Sequence, residues 1–101
     1  MKPFVSLEGT ITPGGTTVFT VPSGKLYQVL SMRFNNPAAY TLTVSKYNAA
    51  NAATLDVYTL SLSAGDTVTD NLVYYFDPGD QLILDSSVAG TVYFINTTII
   101  L

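Results

Sequence analysis

The chain contains no cysteine, no histidine and no tryptophan. Without cysteine there is no disulfide framework and no thiolate nucleophile. Without cysteine and histidine together there is no Cys/His zinc site. The missing imidazole also excludes Ser-His-Asp and Cys-His chemistry and the usual acid–base group of neutral pH. Charge is scarce as well, at 11% of residues, against roughly 25% in an average soluble protein. Lys2, Lys25, Arg33 and Lys46 are the full set of cations, scattered along a chain of net charge -3. A nucleic-acid binder needs a basic stripe to displace counterions from phosphate, so nucleic acid is excluded as a partner. An anionic membrane surface is disfavoured for the same reason. No apolar run approaches the roughly 18 residues of a membrane-spanning helix. Met1-Lys2-Pro3 leads into a short strand-like stretch, so no secretory signal is expected and synthesis in the cytoplasm is.

What remains is 101 residues, 48% apolar and 12% aromatic, the size of one domain spanning residues 1–101. A folded monomer of 10.8 kDa exposes roughly 5,500 Å². At about 150 Å² each, the four cations and seven anions clothe only about 30% of that area. The rest is Thr, Ser, Asn, Gly and apolar atoms. Either a neutral polar coat covers the surface, or other chains cover part of it.

The order of residues reads as strand after strand. β-branched and aromatic runs are punctuated by Gly, Pro, Asn or Asp. Thr16–Val21 closes at Pro22-Ser23-Gly24-Lys25. Leu26–Phe34 follows and ends at Asn35-Asn36-Pro37. Strict alternation puts Leu26, Leu30, Met32 and Phe34 on one face and Tyr27, Val29, Ser31 and Arg33 on the other. Thr41–Tyr47 alternates most clearly, with Leu42 and Val44 on one side and Thr41, Thr43 and Ser45 on the other. Residues 48–53 form a loop, Thr54–Leu62 a strand, and Ser63-Ala64-Gly65-Asp66 a turn. Thr67–Phe76 is extended with a bend near Asp70-Asn71. Asp77-Pro78-Gly79-Asp80 is a turn, with Pro pre-set at its first central position and Gly free for positive φ at its second. Gln81–Ser86 and Thr91–Ile100 complete the chain, joined through Val88-Ala89-Gly90. No segment holds helical periodicity beyond about one turn. Seven or eight closely spaced strands predict an all-β, single-domain antiparallel β-sandwich, most simply jelly-roll-like. Residues 1–5 are either an N-terminal arm or the start of the first edge strand.

Several strands lack polar alternation: Leu72-Val73-Tyr74-Tyr75-Phe76, Tyr93-Phe94-Ile95 and Ile99-Ile100-Leu101. A sandwich buries one face of each strand, so two apolar faces ask for a second covering layer. In so short a chain, contact between identical copies is the economical source of it.

Val21-Pro22-Ser23-Gly24-Lys25 opens a strand ending in Asn35-Asn36. Leu62-Ser63-Ala64-Gly65-Asp66, Pro78-Gly79-Asp80 before Leu82-Ile83-Leu84, and Ser86–Gly90 before the last strand follow in order. Over residues 16–99 this set resembles small structural proteins of tailed-bacteriophage virions, of the capsid decoration or cement type. The resemblance implies a one-domain sandwich, a homotrimer or other symmetric assembly, no catalysis and no cofactor. It further implies the major capsid protein as partner and a place on the virion surface. The alternative is a receptor- or glycan-binding head of a fibre or spike, or a neck or tail component.

Candidate contact residues are Phe4, Val5, Tyr74, Tyr75, Ile99, Ile100 and Leu101. If Tyr74 and Tyr75 lie in a regular strand, one ring faces away from the core. A ligand loop would instead draw on Tyr40, Tyr47, Asn48 and Asn51, since Tyr joins an apolar body to a polar tip. Asp66, Asp70, Asp77 and Asp80 fit turn chemistry, in which the carboxylate accepts backbone N–H groups, better than a calcium cage. A glycosidase pair of carboxylates needs a substrate cleft for which a chain of this size has little room. Arg33, between Met32 and Phe34, either meets an acidic residue of another copy or snorkels to the rim. No catalytic, cofactor-binding or metal-ligating residue is assigned.

Overall fold

The computed structural model describes residues 4–100, the side chain of Phe4 excepted. Nine strand segments follow one another: β1 (Phe4–Ile11), β2 (Thr16–Thr20), β3 (Leu26–Asn35), β4 (Tyr40–Asn48), β5 (Ala53–Leu62), β6 (Thr67–Asp70), β7 (Tyr74–Phe76), β8 (Gln81–Ser86) and β9 (Thr91–Ile100). They form two antiparallel sheets. One has the order β1-β9-β3-β6, with β7 also paired to β3; the other has the order β2-β8-β4-β5. β6 and β7 are two halves of one strand interrupted at Asn71-Leu72-Val73. Counted so, eight strands stand in two four-stranded layers, a jelly-roll-like sandwich. Only the β4–β5 hairpin stays within a sheet; every other connection crosses to the opposite layer.

The turns form where the chain permits them. At Asp77-Pro78-Gly79-Asp80, the Asp80 N–H donates to the Asp77 carbonyl at 2.9 Å, and Gly79 takes a φ of 86°, as a type II turn requires. Buried Asp80 ties two turns together. Its Oδ2 accepts the Asp77 N–H and its Oδ1 accepts the Ala49 N–H, each at 2.9 Å. Lys46 Nζ stands 3.6 Å from the same carboxylate. Asp66 likewise accepts the Ser63 N–H. These acidic residues therefore act as turn acceptors.

The core lies between the layers. Val29, Met32, Phe34, Phe76 and Ile95 come from one sheet and Tyr40, Leu42, Val44, Leu82 and Leu84 from the other. Phe19 meets Phe76 edge-on at 5.0 Å, the geometry aromatic rings favour. Where the ends of β3 and β8 meet the start of β9 the core is polar, and its side chains are paired. Asn36 Nδ2 donates to Thr91 Oγ1 at 2.8 Å, and Thr91 Oγ1 lies 2.6 Å from Ser86 Oγ.

One expectation changes here. The β3–β9 register slips at Leu30, between Val29 and Ser31. The slip reverses the phase of alternation, so Val29 and Met32 are both buried, at 0% and 1% exposure, although strict alternation places them on opposite faces. Of the two readings of residues 1–5, Phe4 and Val5 follow the edge-strand one: they lie within β1, opposite Thr98 and Thr97 of β9, and residues 1–3 lie outside the described residues. β9 runs between β1 and β3, and its Ile99 and Ile100 are half-buried opposite Tyr27 and Leu26.

Candidate assembly face

β5 is the outer strand of one sheet, and β6 with β7 forms the outer strand of the other. Both lie on the same side of the sandwich, because residues of the two line one cleft. Asp70 closes that side at one point. It is the last residue of β6, where Leu72 and Val73 leave the ladder. Its Oδ1 accepts the Leu72 N–H at 2.8 Å, the Asx-turn bond that stabilises the break. Its Oδ2 accepts the hydroxyl of Tyr58 from β5 at 2.9 Å and that of Tyr74 from β7 at 2.8 Å. Burial, and then the hydrogen bond to the Asp70 carboxylate, push the Tyr74 hydroxyl up to about 12. The same two causes, in the same order, raise Tyr58. Both tyrosines therefore remain donors at neutral pH.

Away from this clamp the side is unsealed. An open cleft of about 460 Å³ lies between Tyr58 and Leu60 of β5 and Val68, Asp70 and Leu72. Leu72 is 67% exposed and Leu55 65%; Val57, Leu60 and Val73 are exposed as well. Eight of the ten β5 residues are exposed. The cleft's one ionisable carboxylate, Asp70, is already occupied by three donors. This arrangement is suited to receiving apolar groups.

The outer face of the β1-β9-β3-β6 sheet differs. Asn96 accepts from Ser6 Oγ at 3.0 Å and donates to Ser31 Oγ at 2.9 Å, bridging three strands. Beside it Arg33 lies over the Phe94 ring at 4.9 Å, a cation–π contact. Arg33 thus finds its partner on a neighbouring strand of its own sheet.

The contact residues anticipated from sequence are dispersed. Tyr74 turns inward to Asp70. Tyr75, 63% exposed, turns outward and accepts a hydrogen bond from Gln28 Nε2 at 3.2 Å. Val5 is half-buried within β1. Leu101 and the side chain of Phe4 lie outside the described residues. The ligand loop does not assemble as expected. Tyr40 and Tyr47 sit at opposite ends of β4, roughly 23 Å apart at the rise of a strand. Tyr40 is a core residue, 3% exposed. Its inward phase, shared with Leu42 and Val44, is what buries it. Tyr47 and Asn48 are half-buried, and Asn48 Oδ1 accepts the Ala50 N–H at 3.0 Å, capping the β4–β5 turn. Asn51 in that turn is exposed.

Leu55, Leu60 and the Tyr58–Asp70 pair were not anticipated. Leu72 carried a signal, as the first residue of the stretch without polar alternation. Leu60 carried none, because an apolar residue at an inward position of β5 reads as core unless the strand is known to be an edge.

No protein-family model matches the chain, and no curated protein matches its sequence. The fold is shared with solved structures. Bacillus endospore appendages, described as disulfide-linked pili, superpose with a TM-score of 0.57 at 14% identity, covering 99% of this chain and 86% of theirs. A chain of the T13 IBDV viral particle gives 0.57 at 13% identity over 97% of this chain, which spans only 30% of that one. The globular domain of zebrafish complement 1qA gives 0.55 at 13% identity, covering 97% and 96%. The class that fold and surface define is a jelly-roll-like β-sandwich with one unsealed side. At these identities the likeness is one of fold.

Proposed function

We propose that the chain is a non-enzymatic structural subunit that associates with copies of itself and decorates and stabilises a phage capsid. In this reading it is a homotrimer on the virion surface, bound to the major capsid protein. The observation that carries the proposal is the exposed apolar side formed by Leu55, Val57, Leu60, Leu72 and Val73. The accessible surface, 5,417 Å², is close to the roughly 5,500 Å² expected of a monomer this size. The fold is therefore not loose; those five residues, of nine exposed large apolar side chains among the described residues, lie along these two sheet edges. Patches of this kind mark interaction sites.

The function would be mechanical. Each assembly bridges neighbouring capsid subunits, and several linked contacts raise the effective concentration of every one, so each need bind only moderately. A coat of neutral hydroxyls suits a dense lattice in which like charges would repel. The glycan-binding alternative draws less support, since its proposed residues are split between core and turn cap. A neck or tail component would use the same face.

Light scattering after size exclusion tests self-association, and capsid co-sedimentation tests the partner. A trimer that binds capsids and slows their thermal rupture is the expected result. A stable monomer at micromolar concentration without capsid affinity overturns the proposal. Locating the chain in purified virions separates capsid from neck and tail.

A further inference from the structure

We infer that β5 is a pairing edge for a second copy of this chain. The β5 strands of two copies run antiparallel and join two four-stranded sheets into one of eight. This inference rests on the self-association proposed above and names the strand that performs it.

The two sheets end in four edges: β1, β6 with β7, β2 and β5. Unpaired edges invite strand addition, and proteins blunt them with short strands, bulges, prolines or charges. β2 has five residues and a register slip at Val18. β6 has four residues and ends at the break after Asp70. β1 carries the exposed carboxylate of Glu8 near its middle. β5 is longer, at ten residues. Its register slip lies at Val57, and beyond it Tyr58-Thr59-Leu60-Ser61-Leu62 carries no charge, proline or glycine. Its single charge, Asp56, is drawn back to its own sheet, where Oδ1 accepts the Ser45 hydroxyl at 2.8 Å. The Tyr58–Leu62 half is thus the least guarded edge.

The second observation is the cleft beside it. A strand added beyond β5 lays every second side chain toward β6 and Leu72. Those side chains must be apolar and uncharged to match Val68 and Leu72. β5 itself meets the requirement, with Tyr58, Leu60 and Leu62 opposite the inward Val44, Leu42 and Tyr40 of β4. Two-fold pairing therefore makes each copy the occupant the other needs. At 36–67% exposure, Leu55, Val57, Leu60, Leu72 and Val73 are the apolar side chains such a pair covers together with the backbone edge; a standard interface takes about 800 Å² per partner. If the subunits are trimers, β5 pairs link trimer to trimer across the lattice.

Hydrogen exchange of the full chain at low and high concentration, alongside light scattering, tests the inference. Amides of residues 53–62 should slow about tenfold or more as concentration rises, while those of the β1 edge do not change. Leu55→Lys and Leu72→Lys alter exposed side chains and should leave the fold intact. Each should abolish the concentration dependence and lower the mass at least twofold. An oligomer whose 53–62 amides are indifferent to concentration, or whose mass survives both variants, overturns the β5 pairing and leaves self-association standing. A monomer at every concentration overturns both.

Discussion

Tyr58 and Asp70 join the two layers of the sandwich at the side where neither sheet has a further strand, through a hydroxyl–carboxylate bond of 2.9 Å. Tyr74 donates to the same oxygen from the other side of the break. One carboxylate thus fixes the spacing of β5 and β6–β7.

Asp70→Asn should cost about 2 kcal/mol, measured by chemical denaturation. An amide offers one oxygen, so it can keep the Leu72 N–H or the tyrosines but not both, and hydrogen bonds to a charged group are worth about 1.5–3 kcal/mol. Tyr58→Phe should cost about 1 kcal/mol. In a double-mutant cycle the two should couple, because they delete the same bond.

Stability should fall as pH rises from about 10 to about 12. The Tyr74 hydroxyl titrates near 10.0 in the unfolded chain and at about 12 in the fold. Its contribution is therefore complete below about 10 and lost as pH climbs through the folded value, because the unfolded state has released the proton first. Tyr58 acts in the same direction. Denaturation midpoints across this window, with an absorbance titration of the tyrosinates, check the sign. Tyr58→Phe/Tyr74→Phe should flatten the fall.

Leu84→Ala and Leu72→Ala remove the same atoms from opposite environments. Leu84 is fully buried between the sheets, so its loss should cost about 3–4 kcal/mol in transfer and cavity terms. Leu72→Ala should change the stability of the isolated subunit by less than about 0.5 kcal/mol. Equilibrium unfolding of both at low protein concentration tests the contrast.

Gly79→Ala should destabilise by more than about 1 kcal/mol, read as a lower unfolding midpoint. The φ of 86° opposes any side chain, and an added Cβ would come within 2.9 Å of the Ala49 Cβ. Gly24→Ala tests the backbone term alone, since φ is 77° but no atom lies within 4 Å of the added carbon.

Much of the fold was legible in the sequence, because turns at Gly65 and Gly79 and the alternation of Thr41–Tyr47 are local. The bend near Asp70-Asn71 was legible for the same reason. The faces of β3 were not. A slip at Leu30 reverses every inward position behind it, and its cause is the pairing with β9, some sixty residues away in sequence. The assembly face was half legible. Leu72-Val73 announced itself by lacking alternation, whereas Leu60 looks like core until sheet order makes β5 an edge. Tyr40 was misplaced because the strand was read as starting at Thr41, while its phase with Leu42 and Val44 already pointed inward.

Asp80 has a bearing on how this scaffold can be re-engineered. Because one sequestered acid clasps the 49–52 and 77–80 bends, lengthening the former would pull away the Ala49 amide and leave Oδ1 of a buried carboxylate without its donor, with the Asp77 amide and Lys46 as its remaining partners. Among the described residues, the Pro22–Lys25 connection shows a local Lys25-to-Pro22 backbone bond and open space around Gly24. A displayed epitope belongs there.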